Sequence, residues 1–282
     1  MTLGQRIREE RRARGWTQSE LAGEEITRNM LSRIESGAAL PSLPTLTYLA
    51  DRFGLPAGYF LTEGEDRIAH EKLLHFPAIL AAYRAKNYKE AVRLYRRDFT
   101  ESDDELAFVV ANSALYCTRD EMHRGHMKKA NEYLSLAATL MEGSAYTTDA
   151  MRAVRALLDA ILTNVQAPRF ALVGSNYEAL AADAVWEETY RYFSEKTEGY
   201  RFGDDVLAQH TAARKLIGEG KYTDAVKALG EIETRRADPH FSVLVLFRLY
   251  GDLEVCYKEL GNFEEAYRYS SKRMSLLSAF RG

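Results

Sequence analysis

Residues 17–42 read TQSELAGEEITRNMLSRIESGAALPS, and this stretch leaves little choice of local structure. Thr17, followed by Glu20 three residues later, forms a capping box. The hydroxyl accepts from a backbone N–H of the first turn, and the carboxylate reaches back to the cap. Leu21 and Ala22 then face inward, Gly23, Glu24 and Glu25 make a polar bend, Ile26 returns to the core, and Thr27 caps a second helix. In that helix Met30 or Leu31, and then Ile34, fall at the spacing of a buried stripe. Gly37 is able to adopt the left-handed conformation that stops it. The opposite face carries Arg28, Asn29, Ser32 and Arg33, side chains that reach base edges and phosphates in a DNA major groove. The expectation is two short helices joined by a tight turn.

Thr17 with Gln18, Glu20 through Ala22, Ile34 through Gly37, and Pro41 with Ser42 together resemble the helix-turn-helix of the Cro/phage-repressor (XRE) family, across residues 2–62. The resemblance implies an all-α, five-helix, lambda-repressor-like DNA-binding domain. By the family pattern, Gln18 clamps a phosphate or a base edge, and Thr27, Arg28, Asn29, Ser32 and Arg33 lie against the groove. Arg28 and Asn29 are the pair expected to read bases, since arginine suits guanine and asparagine suits adenine; the alternative for each is an exposed polar face. Ser36 and Ser42 are expected at the DNA backbone, with Ser42 alternatively a plain N-cap for the helix Leu43–Phe53. The same resemblance implies a structural ion pair of Arg11 with Glu35. The turn between Ala22 and Thr27 is one residue shorter than in most of the family, a form similar to that of peptide-sensing RRNPP regulators.

At 282 residues the chain exceeds one ordinary domain. With 46% hydrophobic and 28% charged residues it has the composition of a globular protein, and its net charge of −3 excludes binding nucleic acid by bulk charge. Residues 1–62 hold eight arginines, no lysine and seven acids. A single copy is therefore expected to bind DNA weakly, and two copies on a palindromic operator, half-sites about one helical turn apart, would remedy that. A homodimer follows. Cys117 and Cys256 stand far apart and imply reduced thiols in a cytosol. The N-terminus is charged from the start and no run is long enough to span a bilayer, so neither a signal peptide nor membrane contact is expected.

In the first helix Leu3, Ile7 and Ala13 are expected inward. Arg6, Arg8, Arg11, Arg12 and Arg14 are either phosphate contacts or a solvated face. Trp16 reads as core. Residues 54–61 close the head with a short helix, and the polar run 62–66 (TEGED) reads as a hinge, giving a head at 1–62, a linker at 63–69 and a third segment at 70–282.

That third segment repeats itself. KNYKEA ends at Ala91, GHMKKA at Ala130, GKYTDA at Ala225 and GNFEEA at Ala266, with a degenerate SNYEA ending at Ala179. A turn residue ends one helix, a bulky residue such as Tyr222 or Phe263 fills the wedge, and the alanine permits close approach of the next helix. The pattern resembles the tetratricopeptide (TPR) repeat, best at Leu253, Tyr257, Leu260, Gly261, Phe263 and Ala266. A TPR-like α-solenoid is implied, with a concave face lined by the first helix of each pair. In that register Arg84, Asn112, Arg119, His210, Arg214, Arg248 and Lys258 line it, and this mostly basic set suits a signalling peptide; the alternative is a row of merely solvated positions.

His123 and His126, near Glu121 and Cys117, do not have the spacing of a metal site. Ser102 with Glu105 reads as a capping box, and no phosphate-binding glycine loop, nucleophile elbow or metalloprotease helix is present. No cofactor, no metal and no enzymatic activity are expected. The chain thus reads as a DNA-binding regulator resembling the RRNPP peptide receptors. The alternative is a repressor or scaffold whose TPR-like part docks a protein.

Overall fold

The computed structural model describes residues 2–61, 67–165, 172, 175–237 and 241–281. Among them the secondary structure is helical, without strands. The hinge expected at residues 62–66 lies outside the described residues. No helix among the described residues is long and apolar enough to cross a membrane. The chain divides into two compact units, Met1–Leu106 and Ala107–Gly282.

The first unit opens with five short helices: α1 Leu3–Ala13, α2 Gln18–Ala22, α3 Arg28–Glu35, α4 Leu43–Phe53 and α5 Ala57–Leu61. Each start is chemically marked. Thr2 with Gln5 and Thr17 with Glu20 form reciprocal capping boxes, and Thr27 and Ser42 each accept a first-turn N–H. Ile7, Leu21, Leu31, Ile34, Leu46, Leu49, Phe53 and Phe60 make one buried cluster, against which Ile26 and Trp16 pack. Full burial of each such side chain contributes about 1.5–3 kcal/mol. Leu31 is therefore the buried member of the Met30/Leu31 alternative, and Met30 is exposed. Ala13 is exposed instead of inward. Gly4 is where α1 crosses α3: a Cβ built there would lie 2.0 Å from the Ile34 carbonyl oxygen. After α5 come α6 Arg67–Arg84 and α7 Tyr88–Asp98, packed on each other, with α6 also touching α5.

The second unit contains α8 Asp104–His123 from Ala107 onward, α9 Met127–Met141, α10 Asp149–Thr163, α11 Ala184–Ser194, α12 Asp205–Gly218, α13 Tyr222–Glu233, α14 Val243–Glu259 and α15 Phe263–Arg281. Four hairpin turns lie where the repeats put them, and the residue before each wedge pair has positive φ: Lys86, Gly125, Gly220 and Gly261. The alanines behave as close-approach points: Ala91, Ala130, Ala225 and Ala266 are all buried.

Three further details differ from the sequence reading. SNYEA does not begin an α-helix; residues Tyr177–Ala182 form a 3-10 turn packed on α10 and α11, because Asp183, which caps α11, interrupts it. Phe263 fills no wedge and is 71% exposed. The helix after residue 102 is capped by Asp103, whose Oδ1 accepts from the Leu106 N–H at 2.9 Å, while Glu105 turns away to Lys72 Nζ at 2.7 Å.

Candidate nucleic-acid interface

α3 is built to present one face. Thr27 Oγ1 accepts from Met30 N at 3.1 Å and fixes its start. Gly37 at φ +77° ends it, with Ala38 N donating to Arg33 O at 2.8 Å. The turn before it is held by α4: the Tyr48 hydroxyl donates to Ala22 O at 2.9 Å, and Arg52 Nη2 donates to Glu20 O at 2.6 Å, satisfying carbonyls at the end of α2. Gly23, at φ +57°, admits the Tyr48 hydroxyl at a point where a Cβ would lie 2.3 Å from it.

With Leu31, Ile34 and Glu35 buried, Arg28, Asn29, Ser32 and Arg33 are exposed together. Among the described residues no hydrogen bond or ion pair engages these four side chains, so their donors and acceptors are available. The flanking hydroxyls are exposed but occupied: Ser36 Oγ donates to Arg33 O at 3.1 Å, and Ser42 Oγ lies 2.9 Å from Thr45 Oγ1 while capping α4.

Behind that face lies an ionic lock. Arg11 Nε and Nη2 donate to the two oxygens of Glu35 at 2.6 and 3.0 Å, Arg11 Nη1 donates to Trp16 O at 2.7 Å, and Gln18 Nε2 donates to Glu35 Oε2 at 2.9 Å. Burial alone would push the Glu35 carboxyl up, but the hydrogen bonds from Arg11 and Gln18, with the charges of Arg11 and Arg8, hold it below the usual range. The Gln18 amide nitrogen is therefore turned inward, toward the end of α3.

The α1 arginines separate into two classes. Arg6 is buried and donates to Tyr59 O at 3.4 Å. Arg14 pairs with Glu10, donates to Phe53 O at 3.2 Å and lies over the Phe53 ring. Arg8, Arg12 and Arg14 are all exposed, and of these Arg8 and Arg12 are left without an internal hydrogen bond among the described residues.

The residues expected along a concave face do not share one environment. Arg84 is exposed at the end of α6, in the first unit, and Lys258 is exposed and paired with Glu254 at 2.6 Å. Asn112 Nδ2 donates to Phe108 O at 3.3 Å and lies 3.7 Å from Met151 Sδ. Arg119 Nε donates to Thr189 Oγ1 at 3.3 Å. Arg119 lines a cavity of about 430 Å³ with Asp120, His123, Arg124, Glu188 and Ser242. There His123 Nδ1 lies 2.7 Å from Ser242 Oγ, and burial pushes the His123 pKa down to about 3, whereas His126 turns to Glu121 at 2.7 Å.

His210, Arg214 and Arg248 are brought together, but not as a solvated lining: they are buried on α12 and α14. They lie where α12 packs against α14. The Tyr192 hydroxyl is 2.7 Å from His210 Nδ1, and His210 Nε2 and Arg214 Nε both reach Asp252 Oδ2, at 2.8 and 2.6 Å. Burial and the charges of Arg214 and Arg248 push the His210 pKa down to about 4, against the hydrogen bond to Asp252. The ring is then neutral, accepting from Tyr192 at Nδ1 and donating to Asp252 from Nε2. Sequence reasoning missed Asp252, Tyr192 and Glu195. The spacing of His210 with Arg214, and of Arg248 with Asp252, four apart on two helices, was the available signal.

A helix-turn-helix domain model matches residues 2–58. Comparison with curated proteins finds no match. Among solved structures, the chain is similar to Bacillus thuringiensis PlcR in complex with the peptide PapR7 and DNA, at 19% identity over 99% of this chain and 96% of that one, with a TM-score of 0.27. It is also similar to ComR from S. thermophilus in complex with DNA and its signalling peptide ComS, at 16% identity over 99% and 94%, with a TM-score of 0.28.

Proposed function

We propose that this chain is a sequence-specific DNA-binding transcription regulator. A head at residues 1–62 reads a palindromic operator as one half of a homodimer, and a TPR-like segment at 70–282, joined through residues 63–69, holds a peptide or other ligand that controls it. The observation that carries the reading is α3: Arg28, Asn29, Ser32 and Arg33 stand exposed on a helix whose other face is locked into the core. Arginine and asparagine bidentate contacts to guanine and adenine contribute about 1–3 kcal/mol of discrimination each. Ligand control is supported by the Arg119 cavity of about 430 Å³, whose mixed cationic and acidic lining suits the polar groups of a peptide. A ligand shifts operator affinity only through its differential affinity for two arrangements of the paired heads, typically about 1–3 kcal/mol of coupling. The chain acts in the cytoplasm, without catalysis and without a cofactor.

Selection from random duplex DNA tests the reading. The purified protein is expected to enrich a palindromic site, and an Arg28→Ala, Asn29→Ala variant, whose replaced side chains are exposed, is expected to lose that enrichment. Retained enrichment of the same site in the variant would reject α3 as the reading helix.

A second reading, docking of a protein partner, is favoured by one observation. Phe263, Tyr267 and Met274 on α15 are 71%, 76% and 59% exposed. Stoichiometric co-purification of a protein, lost on Phe263→Ser with Tyr267→Ser, is the outcome that reading expects.

A further inference from the structure

Around His210 the second unit buries more guanidinium than carboxylate. Arg214 is 7% exposed and Arg248 5%, yet among the described residues only one acid, Asp252 at 6%, is buried with them. His210 is neutral and adds no charge. The other counter-charge is Glu195, whose side chain is 37% exposed. Its Oε1 accepts from Arg214 Nη1 at 2.9 Å and from Arg248 Nη2 at 3.5 Å. One carboxylate oxygen therefore serves two guanidinium groups. Among the described residues, Arg214 Nη2, Arg248 Nε and Arg248 Nη1 are buried without a hydrogen-bond acceptor. Buried polar atoms seldom go unpaired, and a guanidinium fork is shaped for two parallel bonds to one carboxylate. The Arg248 guanidinium faces the Phe193 and Tyr192 rings at 4.7 and 4.9 Å, which stabilise its charge but offer its in-plane N–H groups nothing.

Glu195 also sits in an unfavourable backbone state. Its φ is +59° at the end of α11, the left-handed region that non-glycine residues enter at a cost. Beside it opens a cavity of about 210 Å³ bounded by Tyr192, Glu195, Thr197, Glu198, Thr211, Arg214 and Lys215. The two threonines and Lys215 bring further donors to its rim.

We propose that the Arg214–Arg248 pair is a binding site for a carboxylate carried by a ligand, and that Glu195 fills it in the ligand-free chain as an internal substitute. The incoming carboxylate takes Arg214 Nη1 and Nη2 side by side and displaces Glu195, whose side chain already reaches solvent. This rests on the reading that the second unit takes a ligand, and it names the group recognised. The affinity for any carboxylate is reduced by the fraction of molecules in which Glu195 has left the site.

The experiment titrates the full chain with N-acetylglycine, which carries a terminal carboxylate, with N-acetylisoglutamine, which carries only a side-chain carboxylate, and with N-acetylglycinamide, which carries none. Binding is followed by NMR. Glu195→Gln keeps size and removes the competing charge, so it is expected to tighten binding of one or both acids by about tenfold while the amide stays unbound. The tighter acid identifies the source of the carboxylate. Glu198→Gln makes the same charge change on the cavity rim and is expected to leave affinity within about twofold of wild type, as rim charges are screened. Equal binding of acid and amide, or equal gains in the two variants, would overturn the proposal. So would a Glu195→Gln chain that loses thermal stability without gaining carboxylate affinity, since Glu195 would then be a structural counter-ion. Operator selection on the same preparations reads DNA binding separately, so the two proposals fail independently.

Discussion

Arg11 and Glu35 form a bond in which one partner is nearly inaccessible: their side chains are 11% and 3% exposed. Removing the guanidinium leaves a buried carboxylate with only Gln18 to satisfy it. Arg11→Ala is therefore expected to destabilise the head by about 3 kcal/mol, the lower end for broken buried pairs. Denaturant unfolding in a Trp186→Phe background, where Trp16 is the remaining tryptophan, measures it; an unchanged midpoint would contradict the assignment. His210 gives a second expectation. Its pKa is pushed down to about 4 by burial and the nearby arginines. Below about pH 6.5 the unfolded chain binds a proton that the folded chain refuses. Stability is thus complete above pH 6.5 and declines as pH falls toward 4, by on the order of 3 kcal/mol from His210, with His123 acting in the same direction. Urea midpoints recorded between pH 7.5 and 4.5 should fall, and should fall less in a His210→Gln, His123→Gln chain. These roles were only half legible: pairing partners four apart on one helix can be read along the chain, whereas Asp252 meeting His210 requires two helices to pack.

Among the elements, α1 and α3 show how closely the head is assembled. The Gly4 position tolerates no side chain, because a Cβ would overlap the Ile34 carbonyl. Gly4→Ala should raise helix propensity by up to about 1 kcal/mol, yet is expected to destabilise the head by about 1–3 kcal/mol net, since α1 must lift from α3. Trp16-monitored unfolding together with operator affinity checks this; a stabilised variant would show the crossing to be looser than described. Helix starts and stops were readable from residues 17–54, since a cap acts within a few positions of its own N–H groups. The hairpin turns were readable too, through Gly125, Gly220 and Gly261. The 3-10 turn Tyr177–Ala182 was not, because a shortened repeat keeps its letters when its backbone departs from the α-helix.

For the whole molecule, the near-neutral head makes the number of phosphate contacts decisive. Arg6, Arg11, Arg14 and Arg52 are committed to internal partners, which leaves Arg8, Arg12, Arg28 and Arg33 to meet phosphate if the proposed function holds. Each phosphate contact contributes about −0.9 to the slope of log affinity against log salt. A paired head on a full palindrome should therefore show about twice the slope measured on a half-site; equal slopes would mean that one head binds alone. From sequence alone came the helix-turn-helix, its exposed polar face, the repeated hairpins and the all-α class, because each depends on spacing within one helix or one turn. Tertiary structure alone decided which arginines remain available and that His210, Arg214 and Arg248 are enclosed with Asp252. Burial and charge pairing are set by which helices pack, and residues 42 positions apart, as His210 and Asp252 are, carry no local mark of being neighbours.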